Sequence, residues 1–162
     1  MQVGKVIMSL HQLEFNGFRL SKKEDVDFLA TRLRFEDKRE IIDGSGKTPH
    51  NALLTGYVQS EVCFTITDTQ DVPVGMFGVN AEGSIWLLAT DDINKIKVSF
   101  LRQSRKVVQF LNTKYRLLWN YVDCRNELHL RWLKWCGFTF LRKVKYGVNQ
   151  QQFYEFIRIN NV

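Results

Sequence analysis

RLLWNYVDCRNELHLRWLKWCGF, residues 116–138, is the stretch on which the fold turns. Residues 116–122 are mostly aliphatic and aromatic and predict a strand. Residues 125–136 then predict a helix, and Gly137 stands where a helix ends on a left-handed residue. A strand feeding a helix that stops on Gly-Phe is the unit from which the rest is placed.

Outward from it, residues 138–146 and 152–159 predict two closing strands. Upstream, Ile96, Phe100, Val107, Val108 and Leu111 fit a helix running to about residue 112. Three short strands precede it, over residues 61–67, 72–79 and 84–89, separated by polar turns and ordered as an antiparallel meander. The near-continuous hydrophobicity of the third points to burial on both faces. Nearer the start, residues 14–20 predict a first strand. Ser21 and Glu24 have the spacing of a capping box, and Val26, Leu29, Ala30 and Leu33 predict a helix over residues 25–35. Residues 43–47 (DGSGK) read as a loop, and Thr48-Pro49 opens another short helix. The expected class is α+β: a mixed, mostly antiparallel central sheet with helices on both faces.

The chain has 162 residues, 44% hydrophobic and 25% charged. That suits a single domain over residues 1–162, with residues 1–12 as a loosely ordered or strand-forming extension. Twelve Phe, five Tyr and four Trp supply a core and exclude general disorder. No apolar run approaches the ~18 residues that span a bilayer, so no membrane partner is expected, and the first fifteen residues do not read as a signal peptide. Cys63, Cys124 and Cys136 have no paired spacing, which favours a reducing compartment. Net charge is +6, but residues 1–93 hold 9 basic against 14 acidic side chains and residues 94–162 hold 14 against 3. The basic half invites an anion. No helix-turn-helix, zinc or stacking-strand signature accompanies it, so nucleic acid ranks last among partners.

The order of elements, with Asn126 early in the last helix and Gly137-Phe138 at its end, resembles the GNAT acyltransferase superfamily. The run Leu118-Trp119-Asn120-Tyr121-Val122-Asp123, then Asn126, His129, Arg131-Trp132-Leu133-Lys134 and Gly137-Phe138, resembles more specifically a phage family that includes the internal virion protein of T7-like phages. Arg34-x-x-Asp37-x-x-Glu40, Gly75 to Gly78, Trp86-Leu87-Leu88 and Phe100-Leu101-Arg102-x-Ser104-Arg105 fit the same pattern.

The resemblance implies an acetyltransferase that uses acetyl-CoA, with no metal, to modify an amine on a host or phage protein. It would act in the cytoplasm of the infected bacterium or in the virion. The coenzyme arm would pair with the main chain of Leu87, Leu88, Ala89 and Thr90, where the fourth and fifth strands splay. Its pyrophosphate would meet the next helix, where Lys97, Arg102, Ser104 and Arg105 replace the family's glycine-rich turn. Asn126 would hold the arm, or simply cap its helix. The family's tyrosine acid is replaced by Leu133, leaving His129 as the candidate acid, with Asp37 and Glu40 as candidate bases.

Each assignment has a plainer competitor. A lone His on a part-apolar helix reads first as a hydrogen-bonded structural residue, and Arg34, Asp37 and Glu40 have the spacing of a surface ion-pair ladder. Trp119, Trp132 and Trp135 read as core. Cys136 reads as a buried small hydrophobe. The competing function keeps the fold and discards the chemistry: a catalytically degenerate, virion-associated or assembly protein acting as a binding module among virion proteins.

Overall fold

The computed structural model describes residues 15–160; the expected extension over residues 1–12 and Glu14 of the first expected strand lie outside them. The elements run β1 (Phe18–Leu20), α1 (Lys23–Ala30), α2 (Phe35–Ser45), α3 (Pro49–Gln59), β2 (Val62–Thr67), β3 (Pro73–Val79) and β4 (Ile85–Ala89). A 3-10 turn (Asp91–Ile96) leads into α4 (Lys97–Lys114), followed by β5 (Leu117–Asp123), α5 (Glu127–Trp135), β6 (Thr139–Tyr146) and β7 (Gln151–Ile159).

The strands form two antiparallel sheets, β1-β2-β3-β4 and β5-β7-β6. Among the described residues one backbone bridge joins them, a parallel one between Ser84 and Trp119 at the starts of β4 and β5. The Trp119 amide donates to Gly83 O at 3.0 Å, and Asn120 Nδ2 donates to Ile85 O at 2.7 Å. Gly83 makes this approach possible: at φ +85°, an added Cβ would lie 2.1 Å from Leu117 O. Beyond the bridge, towards Ala89 and Asp123, the two strands are not paired with each other.

Alternation along the strands divides the core. Phe77 and Leu87 face α4 and α5, where Trp132 packs edge-on to Phe77 (centroids 5.9 Å) and stacks on Phe100 (6.3 Å). Met76 and Leu88 face α1 and α3, beside Val26, Leu29 and Leu53. Helices therefore cover both faces, as the α+β expectation has it.

Four local expectations need correction. The helix expected over residues 25–35 stops at Ala30, because Leu33 and Arg34 leave helical geometry to join the end of β4. A new helix, α2, starts at Phe35 and carries through Asp43 to Ser45, where a loop was expected. It ends on Gly46 at φ +72°. Its buried positions, Asp37 and Ile41, include only one apolar residue, so no apolar stripe advertises it. The capping residue is Lys22, whose amide donates to Asp25 at 2.8 Å, rather than the Ser21–Glu24 pair. Trp135 is not core: it is 44% exposed.

Candidate functional site

The gap between β4 and β5 is bridged by side chains of α2. Asp37 is completely buried, and its Oδ2 accepts the Ala89 amide at 2.8 Å. The Arg34 amide donates to Ala89 O at 2.9 Å, so both main-chain groups of Ala89 are taken from within the chain. One turn on, Glu40 Oε1 accepts the Asp123 amide at 2.6 Å. Asp37 thus grips the end of one strand and Glu40 the end of the other. The spacing read as a surface ladder is instead an interior clasp, with Arg34 only 6% exposed.

Two residues of α5 complete it. Asn126 Nδ2 donates to Asp37 Oδ1 at 2.9 Å and lies 3.4 Å from Glu40 Oε2, while its Oδ1 accepts from Arg34 at 3.3 Å. Asn126 occupies the N-cap position but makes no side-chain capping bond; its amide serves the clasp. His129 Nε2 sits 3.2 Å from Asp37 Oδ1, an ion contact without hydrogen-bond alignment, and Nδ1 is 3.7 Å from Glu40. Arg34 Nη1 is 3.1 Å from the same Asp37 oxygen.

Charge regulation follows from this packing. Burial pushes Glu40 up to about 7, helped by the Asp37 charge and opposed by His129. Burial also works against ionised Asp37, but His129, Arg34 and Asn126 outweigh it and hold that carboxyl below its usual range. For His129 burial disfavours the cation, yet Asp37 and Glu40 prevail and raise it. The raised Glu40 carboxyl and the raised His129 imidazole therefore titrate as a coupled pair. Leu133, 1% exposed on the same helix, offers no proton.

Asp37, Glu40 and His129 have ligand atoms within 4.8 Å of one another, a spacing that can hold a metal ion. The cationic Arg34 and His129 already supply the positive charge there, and Asp37 Oδ1 is shared by Arg34 and Asn126. A metal ion would have to displace Arg34 and Asn126 from that oxygen and a proton from His129.

The expected coenzyme residues are only partly brought together. Along β4, Thr90 bonds β3 through Val74, and by alternation Leu88 does the same, leaving Leu87 and Ala89 directed at the gap. Ala89 is occupied as described. Lys97 starts α4 beside a cleft. Ser104 is 2% exposed, donates to Leu101 O at 3.1 Å and faces Cys136, which is itself buried as expected. Arg102 is exposed, and Arg105 lies over the Trp135 ring at 4.8 Å. Ala89 is thus closed to a coenzyme arm by the chain's own groups, and Ser104 is turned away from an incoming pyrophosphate.

Two cavities flank the clasp. One of about 430 Å³ opens between α2, α3 and the strand ends, with Glu40, Trp86, Tyr121 and Tyr146 on its walls. The other, about 250 Å³, lies between the start of α4 and α5. Trp132 lines both, and His129 lines the first. Their aromatic walls escaped the sequence reading, because Tyr121 and Tyr146 stack only through sheet packing and Trp135 reaches its cleft only through helix packing.

Among the described residues no helix is long and apolar enough to cross a membrane. Solved structures share the fold. Ribosomal-protein-S5-alanine acetyltransferase from Vibrio fischeri is 17% identical with a TM-score of 0.62, over 92% of this chain and 96% of that one. Spermidine N-acetyltransferase from Vibrio cholerae, solved with CoA and spermine, is 14% identical with a TM-score of 0.61, over 88% and 94%. A GNAT-family acetyltransferase from Bacillus anthracis is 12% identical with a TM-score of 0.62, over 88% and 93%. The fold is therefore that of GNAT acetyltransferases. No curated protein sequence matches the chain. A family profile matches residues 63–144, from β2 to β6, half of the chain. The chain belongs to the family described as "Bacteriophage T7, probable scaffold protein Gp13".

Proposed function

We propose that the chain, as one GNAT-like domain, serves phage particle assembly as a binding module whose acyl-transfer gap is closed by its own residues. The observation that carries this reading is the Asp37 carboxylate on the Ala89 amide, with the Arg34 amide on the Ala89 carbonyl. A coenzyme arm that pairs like an added strand needs those groups free. A buried clasp is costly to open, because each orphaned polar group costs about 1–3 kcal/mol and an orphaned charge more. The scaffold role named in the family's description and the replacement of the acid tyrosine by Leu133 support the same reading.

Calorimetric titration of the full chain with acetyl-CoA tests it. No saturable heat and no thermal shift at millimolar coenzyme are expected. Saturable micromolar binding, with acetylation of an added amine, would overturn it.

A second reading, acetyl transfer from acetyl-CoA to a protein amine, is favoured by the gap itself: among the described residues the backbones of β4 and β5 bridge at Ser84–Trp119 and leave Leu87 facing the opening. On that reading His129, Glu40 and Asp37 carry protons, and Leu87, Leu88, Ala89, Thr90, Lys97, Arg102, Ser104, Arg105 and Asn126 meet the cofactor. The clasp would have to open first.

A further inference from the structure

The cleft between α4 and α5 is separate from the clasp's proton-sharing groups and has a chemistry of its own. Phe100, Leu101, Leu128 and Trp132 wall it, and Lys97, Arg131 and Trp135 stand at its mouth. At about 250 Å³ it falls below the roughly 300–1,000 Å³ of pockets that bury a drug-sized ligand, but it can seat a large apolar side chain.

Three observations make it a prepared surface. Trp135 is 44% exposed yet fixed: its Nε1 donates to Leu101 O at 2.7 Å, and Arg105 covers its ring. An exposed aromatic held in one orientation loses little entropy on binding. Trp132, whose Nε1 is buried without a hydrogen-bond partner, adds a second indole to the lining. Finally, the surroundings are cationic. α4 carries Lys97, Arg102, Arg105, Lys106 and Lys114 with no acidic residue. Among the described residues Lys97 and Arg131 make no ion pair.

We propose that this cleft docks an acidic segment of an assembly partner, seating one aromatic or aliphatic side chain against Trp132 and Trp135 while flanking carboxylates meet Lys97 and Arg131. The proposal rests on the binding-module reading and gives it a face and a partner chemistry. Positive charge steers the acidic segment in, and the apolar anchor fixes its register. A nucleic acid would use the same cations but would leave the enclosed slot empty.

Fluorescence anisotropy of the full chain tests this with a dye-labelled Glu-Asp-Glu-Phe-Glu-Asp-Glu peptide. Its controls are the same peptide with serine in place of phenylalanine, and an oligothymidylate. Saturable binding is expected, about tenfold weaker for the serine peptide and for both Arg131→Glu and Trp135→Ser. Both substitutions are at exposed positions, and unchanged melting confirms that each variant is folded. Equal binding of the two peptides, equal binding by the variants, absence of peptide binding, or tighter binding of the oligothymidylate would each overturn the proposal. Peptide failure without acetyl-CoA binding overturns this inference alone. Peptide failure with saturable acetyl-CoA binding overturns the binding-module reading as well.

Discussion

Replacing Asp37 by alanine removes a carboxylate that ties α2 to β4 and to α5. Four partners lose it: the Ala89 amide at 2.8 Å, the Arg34 guanidinium at 3.1 Å, Asn126 Nδ2 at 2.9 Å and His129 Nε2 at 3.2 Å. Asp37 is 0% exposed and Arg34 6%, so water cannot replace the lost bonds without opening the interior. Breaking a buried ion pair by deleting one partner costs about 3–5 kcal/mol, because a charge is left behind. The stranded Ala89 amide adds about 1–3 kcal/mol, and shared partners make the two less than additive. The expected loss is about 4 kcal/mol, a large share of the roughly 5–15 kcal/mol of a folded domain. For a chain of this size that is about 8–16 °C in Tm. Urea unfolding followed by circular dichroism, with m unchanged, reads the number directly. Asp37→Asn keeps an acceptor for Ala89 and should lose roughly half as much. A loss below about 1 kcal/mol for the alanine variant would refute the clasp as a structural element.

Stability should also depend on pH in a defined direction. Glu40 is raised from 4.5 to about 7, so the folded state prefers its neutral form, and the stability this brings is lost as pH rises through that interval. It is worth about 3 kcal/mol at most. His129, raised from 6.5, acts the same way: its stabilisation is complete below 6.5 and is lost above the folded-state value. Asp37, lowered from 3.8, stabilises above that value and fails as acid protonates it. Thermal melts across this range should therefore peak on the acid side of neutrality, and Glu40→Gln should flatten the alkaline fall; an unchanged profile counts against the charge assignment. Gly83→Ala must abandon φ +85° and would push a Cβ to 2.1 Å from Leu117 O, so it should cost more than about 2 kcal/mol and loosen the Ser84–Trp119 bridge, visible as faster amide exchange at Trp119. Asn126→Ala strips Asp37 and Arg34 of a shared partner and should cost about 2 kcal/mol in the same unfolding assay.

The strands and the last two helices were legible because their apolar residues repeat with the period of their elements and their ends are marked, as at Gly137 (φ +86°). The splay of the fourth and fifth strands was legible through resemblance, and the bridge at Ser84 and Trp119 marks where it begins. α2 was not legible, and the reason is physical. Its inward face presents Asp37 and Glu40, so a hydrophobicity pattern registers a polar segment where the structure has a buried one. The same residues were named as candidate proton carriers, but nothing in their spacing says that Asp37 reaches a strand fifty residues away. Ser104 shows the reverse case. As a hydroxyl near a helix start it looked available to a phosphate, yet it lies on the face of α4 that packs against Cys136. Trp135 falls one step outside the apolar stripe that includes Trp132, and such a step decides between core and surface.

Amide hydrogen exchange at Ala89, measured with and without millimolar acetyl-CoA, tests the closed gap most directly. The account predicts an amide that exchanges slowly in the free protein, bonded to the buried Asp37 carboxylate, and whose rate the coenzyme leaves unchanged. An Ala89 amide that exchanges freely until acetyl-CoA is added, and is protected only then, would contradict it.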